Sequence, residues 1–251
     1  MALKNYGIIQ PYTQKVYKGQ EISRQSAQEI IPLVIELLNP KSVVDVGCGI
    51  GVWLSVFREH GIEDILGIDS VHVDKKMLQI PAGKFLTIDL KKPFCIDRQF
   101  DLIVSLETAE HLPIKSAECF VKSLVALGNV VLFSAAIPFQ GGTCHLNEQW
   151  PDYWKQHFQQ QGYIAVDALR KKIWQNNKIK FYYRQNILIF AREDFLVENA
   201  ILKKEYEQTN TKQLSIVHPE LYSNHSISFS LRPLRQRFAR IFKGKTPDCE
   251  K

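Results

Sequence analysis

A doubly wound α/β sheet is the fold this sequence predicts, on three observations: short apolar runs that alternate with helical stretches, a glycine cluster directly after the first run, and an ordinary globular composition. At 251 residues, 45% hydrophobic and 23% charged, the chain fits one soluble domain plus an extension. The longest apolar stretch, Val125 to Phe139, is interrupted by Gly128, Asn129, Ser134 and Pro138, which excludes a membrane span there. No apolar signal core follows Met1, and the five cysteines form no Cys-x-x-Cys pair, so reduced thiols and a cytoplasmic location are expected.

The elements follow in order. Residues 21–38 place Ile30, Ile31, Val34, Leu37 and Leu38 at helical spacing, with Ser23 or Ser26 as the cap, Asn39-Pro40 as the stop, and Pro32 against a single straight helix. They belong to an N-terminal helical cap over about residues 1–40. Ser42 to Val46 is the first strand; a glycine turn and a helix over Val52 to His60 complete half of a parallel βαβ unit. Ile65 to Asp69, Phe85 to Leu90, Asp101 to Leu106 and Asn129 to Ile137 supply four more strands, with a helix at Ser116 to Leu127. Pro151 to Gln161 reads as a helix ending at Gly162. Tyr163 to Ile173 and Lys180 to Ala191 flank the polar Gln175-Asn176-Asn177 and predict an antiparallel hairpin that brings the sheet to seven strands. One charged helix, Glu193 to Gln208, opens an extension, which places the domain at residues 1–192 and the extension at 193–251.

Charge is distributed unevenly. Of the net +6, residues 231–251 carry seven Lys/Arg against two acids, leaving 25 against 24 in the body. A neutral body argues against broad phosphate-backbone binding. Leu234, Phe238, Ile241 and Phe242, set among basic residues, give a basic amphipathic segment over 231–247, for a membrane surface, a partner or an anionic substrate, or simply a solvated terminus.

Asp45-Val46-Gly47-Cys48-Gly49-Ile50-Gly51 lies between the first strand and its helix, where open parallel sheets bind ligands. A dinucleotide fingerprint needs Gly or Ala where Val52 stands, and Asp45 would repel a pyrophosphate. An acid here suits a ligand that carries an amino group and a sulfonium. Three elements follow in order: Gly67-Ile68-Asp69, Thr87-Ile88-Asp89-Leu90 and Phe100-Asp101-Leu102-Ile103-Val104-Ser105. With these the chain resembles the class I S-adenosylmethionine-dependent methyltransferases over roughly residues 25–192. The resemblance implies a Rossmann-like seven-stranded sheet and a cofactor set of Asp45, Gly47, Cys48, Gly49, Gly51, Asp69, Asp89 and Leu90. In that set Asp45 faces the cofactor's ammonium and the helix start its carboxylate; Asp69 accepts from the ribose hydroxyls, Asp89 from the adenine amino group, and Leu90 offers its N–H. Cys48 reads as a small filler, because no base stands beside it.

Glu107-Thr108-Ala109-Glu110-His111 follows the fourth strand, and Glu107, Glu110 and His111 share one face if a helix starts there. His145, after the fifth strand, can meet them. This pattern resembles the metal-dependent branch of the superfamily, including small-RNA 2′-O-methyltransferases and ubiquinone-pathway O-methyltransferases. The resemblance implies Glu107, Glu110, His111 and His145 as ligands of Mg²⁺ or Mn²⁺. His145, His111 and Glu107 are the catalytic candidates: either an imidazole takes the acceptor's proton or an ion lowers its pKa. The expected reaction is O-methylation of a small molecule or saccharide, with nucleic acid disfavoured; the rivals are an RNA 2′-O-methyltransferase and a non-catalytic cofactor-binding scaffold or sensor. Trp150 and Tyr153 are read as acceptor-pocket walls, Phe158 and Tyr163 as core, and Tyr12 and Tyr17 as part of a lid.

Overall fold

Five parallel strands form the body of the sheet in the computed structural model, which describes residues 14–223 and their side chains from residue 23. They are β1 (Ser42–Val46), β2 (Asp64–Asp69), β3 (Phe85–Thr87), β4 (Leu102–Leu106) and β5 (Val130–Ser134). Two more, β6 (Tyr163–Val166) and β7 (Leu188–Arg192), complete the order β3-β2-β1-β4-β5-β7-β6, with β7 antiparallel to both neighbours. Every residue of β4 and β5 is buried, as expected of central strands covered on both faces. The strand order reverses between β1 and β4, so a crevice opens at their carboxyl ends.

Helices cover both faces. α1 (Gln14–Leu38) and α2 (Val52–Glu59) share one apolar core with α5 (Arg170–Ile173), α6 (Phe181–Asn186), α7 (Glu193–Glu198) and α8 (Ala200–Glu207). α3 (Ala117–Val125) and α4 (Pro151–Gln159) build the other, where Phe158 stacks on Phe190 at 3.9 Å and the Tyr163 hydroxyl donates to the Gly128 carbonyl at 2.6 Å. Phe158 and Tyr163 are therefore core residues, as their spacing predicts.

Local expectations are corrected in three places. α1 starts before residue 21 and continues through Pro32, because Ala27, Ile30, Ile31 and Val34 are fully buried and packing holds the helix across the missing hydrogen bond. Ser23 and Ser26 thus lie inside it; the Ser26 hydroxyl accepts from the Lys180 amide instead of capping. The strands expected over 163–173 and 180–191 shorten to β6 and β7, with α5 and α6 in place of their inner ends on either side of the turn at Gln175-Asn176-Asn177. Their link is held by Arg170, 1% exposed, which grips both oxygens of Asp167 and donates to the carbonyls of Gln185 and Leu214. The helix expected over 193–208 breaks at Asn199, whose side chain caps α8 through the Leu202 amide at 2.9 Å. Leu196, Leu202 and Leu214 are buried, so the extension packs on the body at least this far. The basic segment 231–247, Tyr12 and the Tyr17 side chain lie outside what is described. Among the described residues no helix is long and apolar enough to cross a membrane.

Because β7 is antiparallel, its first residue and the α6 helix before it sit at the carboxyl end of the parallel strands. That places α6 at the mouth of the crevice.

Candidate functional site at the carboxyl edge of the sheet

The glycine loop takes the conformation its composition allows. Gly47, Gly49 and Gly51 all have positive φ, at 89°, 55° and 83°. A Cβ on Gly47 would lie 2.2 Å from the Thr108 hydroxyl, so glycine there also lets the β4 loop pack against the β1 loop. Asp69 closes β2 with one carboxylate oxygen accepting from the Gly49 amide at 2.7 Å and the other from the Ser70 amide at 2.6 Å. Each oxygen keeps a lone pair for a further donor.

Asp45 is 3% exposed, and burial, with Asp69 nearby, holds its carboxyl well above the usual range. A cationic ligand group is what would reverse that. Cys48 is buried, and desolvation pushes its thiol up, in keeping with a filler and not a nucleophile. Asp89 lies two residues beyond β3, exposed, accepting from the Lys91 amide at 3.1 Å and pairing with Lys92; the amide and the lysine hold it below the usual carboxylate range. Leu90 beside it is buried.

Across the crevice, Glu107 follows β4 at φ 50°, a left-handed conformation unusual for a residue with a side chain. Its amide bonds Ser134 on β5, at 3.0 Å to the carbonyl and 3.1 Å to the hydroxyl. Its carboxylate is held by two amides: Gln140 donates at 2.7 Å and Asn186, at the end of α6, at 3.1 Å. Gln185 backs Asn186 at 2.9 Å and in turn accepts from the His218 amide at 2.8 Å. Burial raises Glu107, and these amides, Ser134 and the nearby His145 offset it in part.

Glu110 is fully buried, and neither of its carboxylate oxygens has a hydrogen-bond partner. Desolvation, with the charge of Glu107, pushes it up to about 9; the main-chain amides of Glu110 and Ala136 lie near enough to counter this in part without forming a hydrogen bond to it. Ala109–His111 forms a short 3-10 turn instead of the start of an α-helix, and still brings Glu110 and His111 to the same place. Glu110, His111 and His145 each contribute one ligating atom to a cluster in which all lie within 4.8 Å of one another. Glu107, the fourth member of the expected ligand set, faces the Gln140 and Asn186 amides. The two imidazoles meet edge to face at 4.9 Å; desolvation and His145 hold His111 below its ordinary pKa. His145 Nδ1 lies 2.8 Å from a Glu148 oxygen.

Among the aromatic residues read as pocket walls, Trp150 is 40% exposed, while Tyr153 lies partly buried against Trp154 and His157. Sequence reasoning did not single out Gln140, Gln185, Asn186 or Glu148 as site residues. Glu148 had a signal, its i, i+3 spacing from His145; the amides had none.

A family model described as a methyltransferase domain matches residues 20–175, more than half of the chain. The chain belongs to that family. This methyltransferase is 33% identical over 61 residues to ribosomal RNA large subunit methyltransferase E of Caulobacter sp. (strain K31), a match covering 24% of this chain and 25% of that protein. Magnesium protoporphyrin IX methyltransferase from Synechocystis PCC 6803, solved with bound SAH, is 17% identical over 75% of this chain and 91% of its own, with a TM-score of 0.50. DesVI of Streptomyces venezuelae is 15% identical over 71% of this chain and 95% of its own, with a TM-score of 0.49. The chain thus carries a methyltransferase domain, and the likeness to the protoporphyrin enzyme shows the class I fold, with the antiparallel β5-β7-β6 end of its sheet.

Proposed function

We propose that this methyltransferase transfers the methyl group of S-adenosylmethionine to an oxygen of a small-molecule or saccharide acceptor. The cofactor lies across Asp45, the Gly47–Gly51 loop, Cys48, Asp69, Asp89 and Leu90, and the acceptor hydroxyl comes to the side bearing Glu107, His111 and His145. The acceptor oxygen attacks the methyl carbon as the carbon–sulfur bond breaks, its electron pair staying on sulfur, and the hydroxyl proton passes to His145. Proximity supplies most of the rate, and removal of that proton the rest.

The observation that carries this reading is the pair of imidazoles beside a buried acid at the carboxyl ends of β4 and β5. The two unpartnered oxygens of Glu110 also fit a hard divalent ion, Mg²⁺ or Mn²⁺, with His111 and His145 as the nitrogen ligands. Such an ion, when bound, would lower the pKa of the acceptor hydroxyl. Without one, Glu110 keeps its proton at neutral pH.

The test is His145→Ala against a panel of hydroxylated small molecules and saccharides. Turnover is expected to fall about 100-fold or more, with the cofactor Kd from calorimetry within about twofold. Undiminished turnover would remove His145 from the chemistry; absence of binding heat from the cofactor would overturn the whole reading. Tight cofactor binding without turnover on any acceptor would favour a scaffold or sensor.

A second reading is an RNA 2′-O-methyltransferase, supported by the 61-residue likeness to a protein named for ribosomal RNA. The neutral body weighs against it. Acceptor binding that weakens steeply with added salt would favour RNA.

A further inference from the structure

We propose that Glu148 is a positioning residue that sets His145 for catalysis, fixing its tautomer and fastening the turn before it, so that loop and imidazole are placed as one unit. This rests on the reading of His145 as the group that takes the acceptor's proton.

One carboxylate gathers three donors. Oε2 accepts from the Phe139 amide at 2.9 Å, and Oε1 from the Gly141 amide at 2.9 Å and from His145 Nδ1 at 2.8 Å. An ionised carboxylate only accepts, so the proton of the neutral imidazole sits on Nδ1 and the lone pair on Nε2. With Nδ1 committed, Nε2 is the nitrogen left to serve the reaction. The pair is shielded from water, the two side chains being 13% and 21% exposed, which separates it from an ordinary surface ion pair.

The loop is shaped to hold this arrangement. Phe139 and Cys144 take positive φ, at 69° and 57°, a strain that persists only where the surroundings impose it. Glu148 imposes it at the first, and the Cys144 carbonyl lies 3.3 Å from His111 Nδ1 at the second. Beyond His145, the Leu146 and Asn147 amides both donate to the Glu110 carbonyl, at 2.7 and 3.0 Å. The loop is therefore fastened on each side of the histidine. Gly142 provides the room: a Cβ there would lie 2.1 Å from Nε2, 2.3 Å from Cε1 and 2.8 Å from Cδ2.

The experiment is ¹⁵N NMR of the histidine-labelled full chain after chelation, alongside steady-state kinetics, for the wild type, E148Q, E148A, G142A and H145A. The wild type is expected to show His145 with a protonated Nδ1 and a pyridine-type Nε2. E148A shifts the population to the Nε2–H tautomer and lowers kcat about tenfold or more, with cofactor Kd unchanged. E148Q gives an intermediate result, because its amide oxygen still accepts while its NH₂ opposes one main-chain N–H. G142A, which leaves Glu148 in place, lowers kcat by displacing the ring. If E148A fails to fold, E148Q, of the same size, carries the test. Wild-type tautomer populations and kcat in E148Q and any folded E148A would overturn the proposal. If H145A turns over normally, the underlying reading of His145 fails instead.

Discussion

On the β1–β2 side of the crevice, three glycines hold positive φ, and main-chain amides reach the Asp69 carboxylate at 2.6 and 2.7 Å. On the β4–β5 side the same left-handed region is occupied by Glu107, Phe139 and Cys144, none of which adopts it cheaply, around a buried acid with no hydrogen-bond partner. The first side sets one desolvated acid, Asp45, in conformationally cheap main chain and pre-satisfied hydrogen bonds. The second adds backbone strain to its desolvated acids and is held by side chains from distant segments. Main-chain contacts to a ligand can be built locally, whereas a side-chain cluster that perturbs several proton affinities at once needs distant neighbours to exclude water.

That contrast can be broken by experiment. Asp69→Ala is expected to have the largest effect on the first side, weakening the cofactor about 10- to 100-fold, or about 1.5–3 kcal/mol, by calorimetry. A Kd within twofold of wild type would show that the carboxylate serves only the Gly49 and Ser70 amides. Asn186→Ala tests the other side: it strips one amide from a buried carboxylate, at a cost of about 1–3 kcal/mol in thermal or denaturant unfolding. Turnover should fall with it while cofactor affinity stays put, and a loss of affinity would mean the two sides are not separable.

Asp45 sharpens the comparison through pH. An unfolded aspartate ionises near 3.8, and burial beside Asp69 raises the folded value. Above the unfolded value the folded chain therefore holds a proton that the unfolded chain has released, and stability falls as pH rises until the folded pKa is passed. An ammonium placed against Asp45 favours the carboxylate, so cofactor binding should expel up to about one proton. Calorimetry in two buffers of different ionisation heat measures it; equal heats, or the same release from Asp45→Asn, would refute it. Asp89→Ala should do least to the fold, within about 0.5 kcal/mol, since its turn is exposed, and should cost cofactor affinity less than Asp69→Ala.

The first side was readable in the linear sequence because its parts are contiguous: an acid, three glycines and the end of the next strand, all within Asp45 to Asp69. His145 could be brought to His111 only by reasoning that β4 and β5 are neighbours. Asn186 could not be reached that way. It lies 79 residues from Glu107, and the apolar, aromatic run that reads as strand from Lys180 begins as α6, whose last residue meets the carboxylate. Strand propensity over Phe181 to Tyr183 lost to tertiary packing, with Tyr183 buried against Trp53. Ser23 and Ser26 failed as caps because α1 already runs through them, and the Ser26 hydroxyl serves the Lys180 amide instead.

β7, the last strand to be synthesised among the described residues, occupies a place between two that precede it. Until residue 192 has left the ribosome, β5 and β6 have no partner to join them, and the amide that steadies Glu107 is not yet in position. Pairing over such separations is slow and leaves apolar edges open meanwhile. Newly made chains should therefore acquire the glycine-loop half early and catalytic competence last, as a late insertion event that a holdase chaperone would be well placed to shelter.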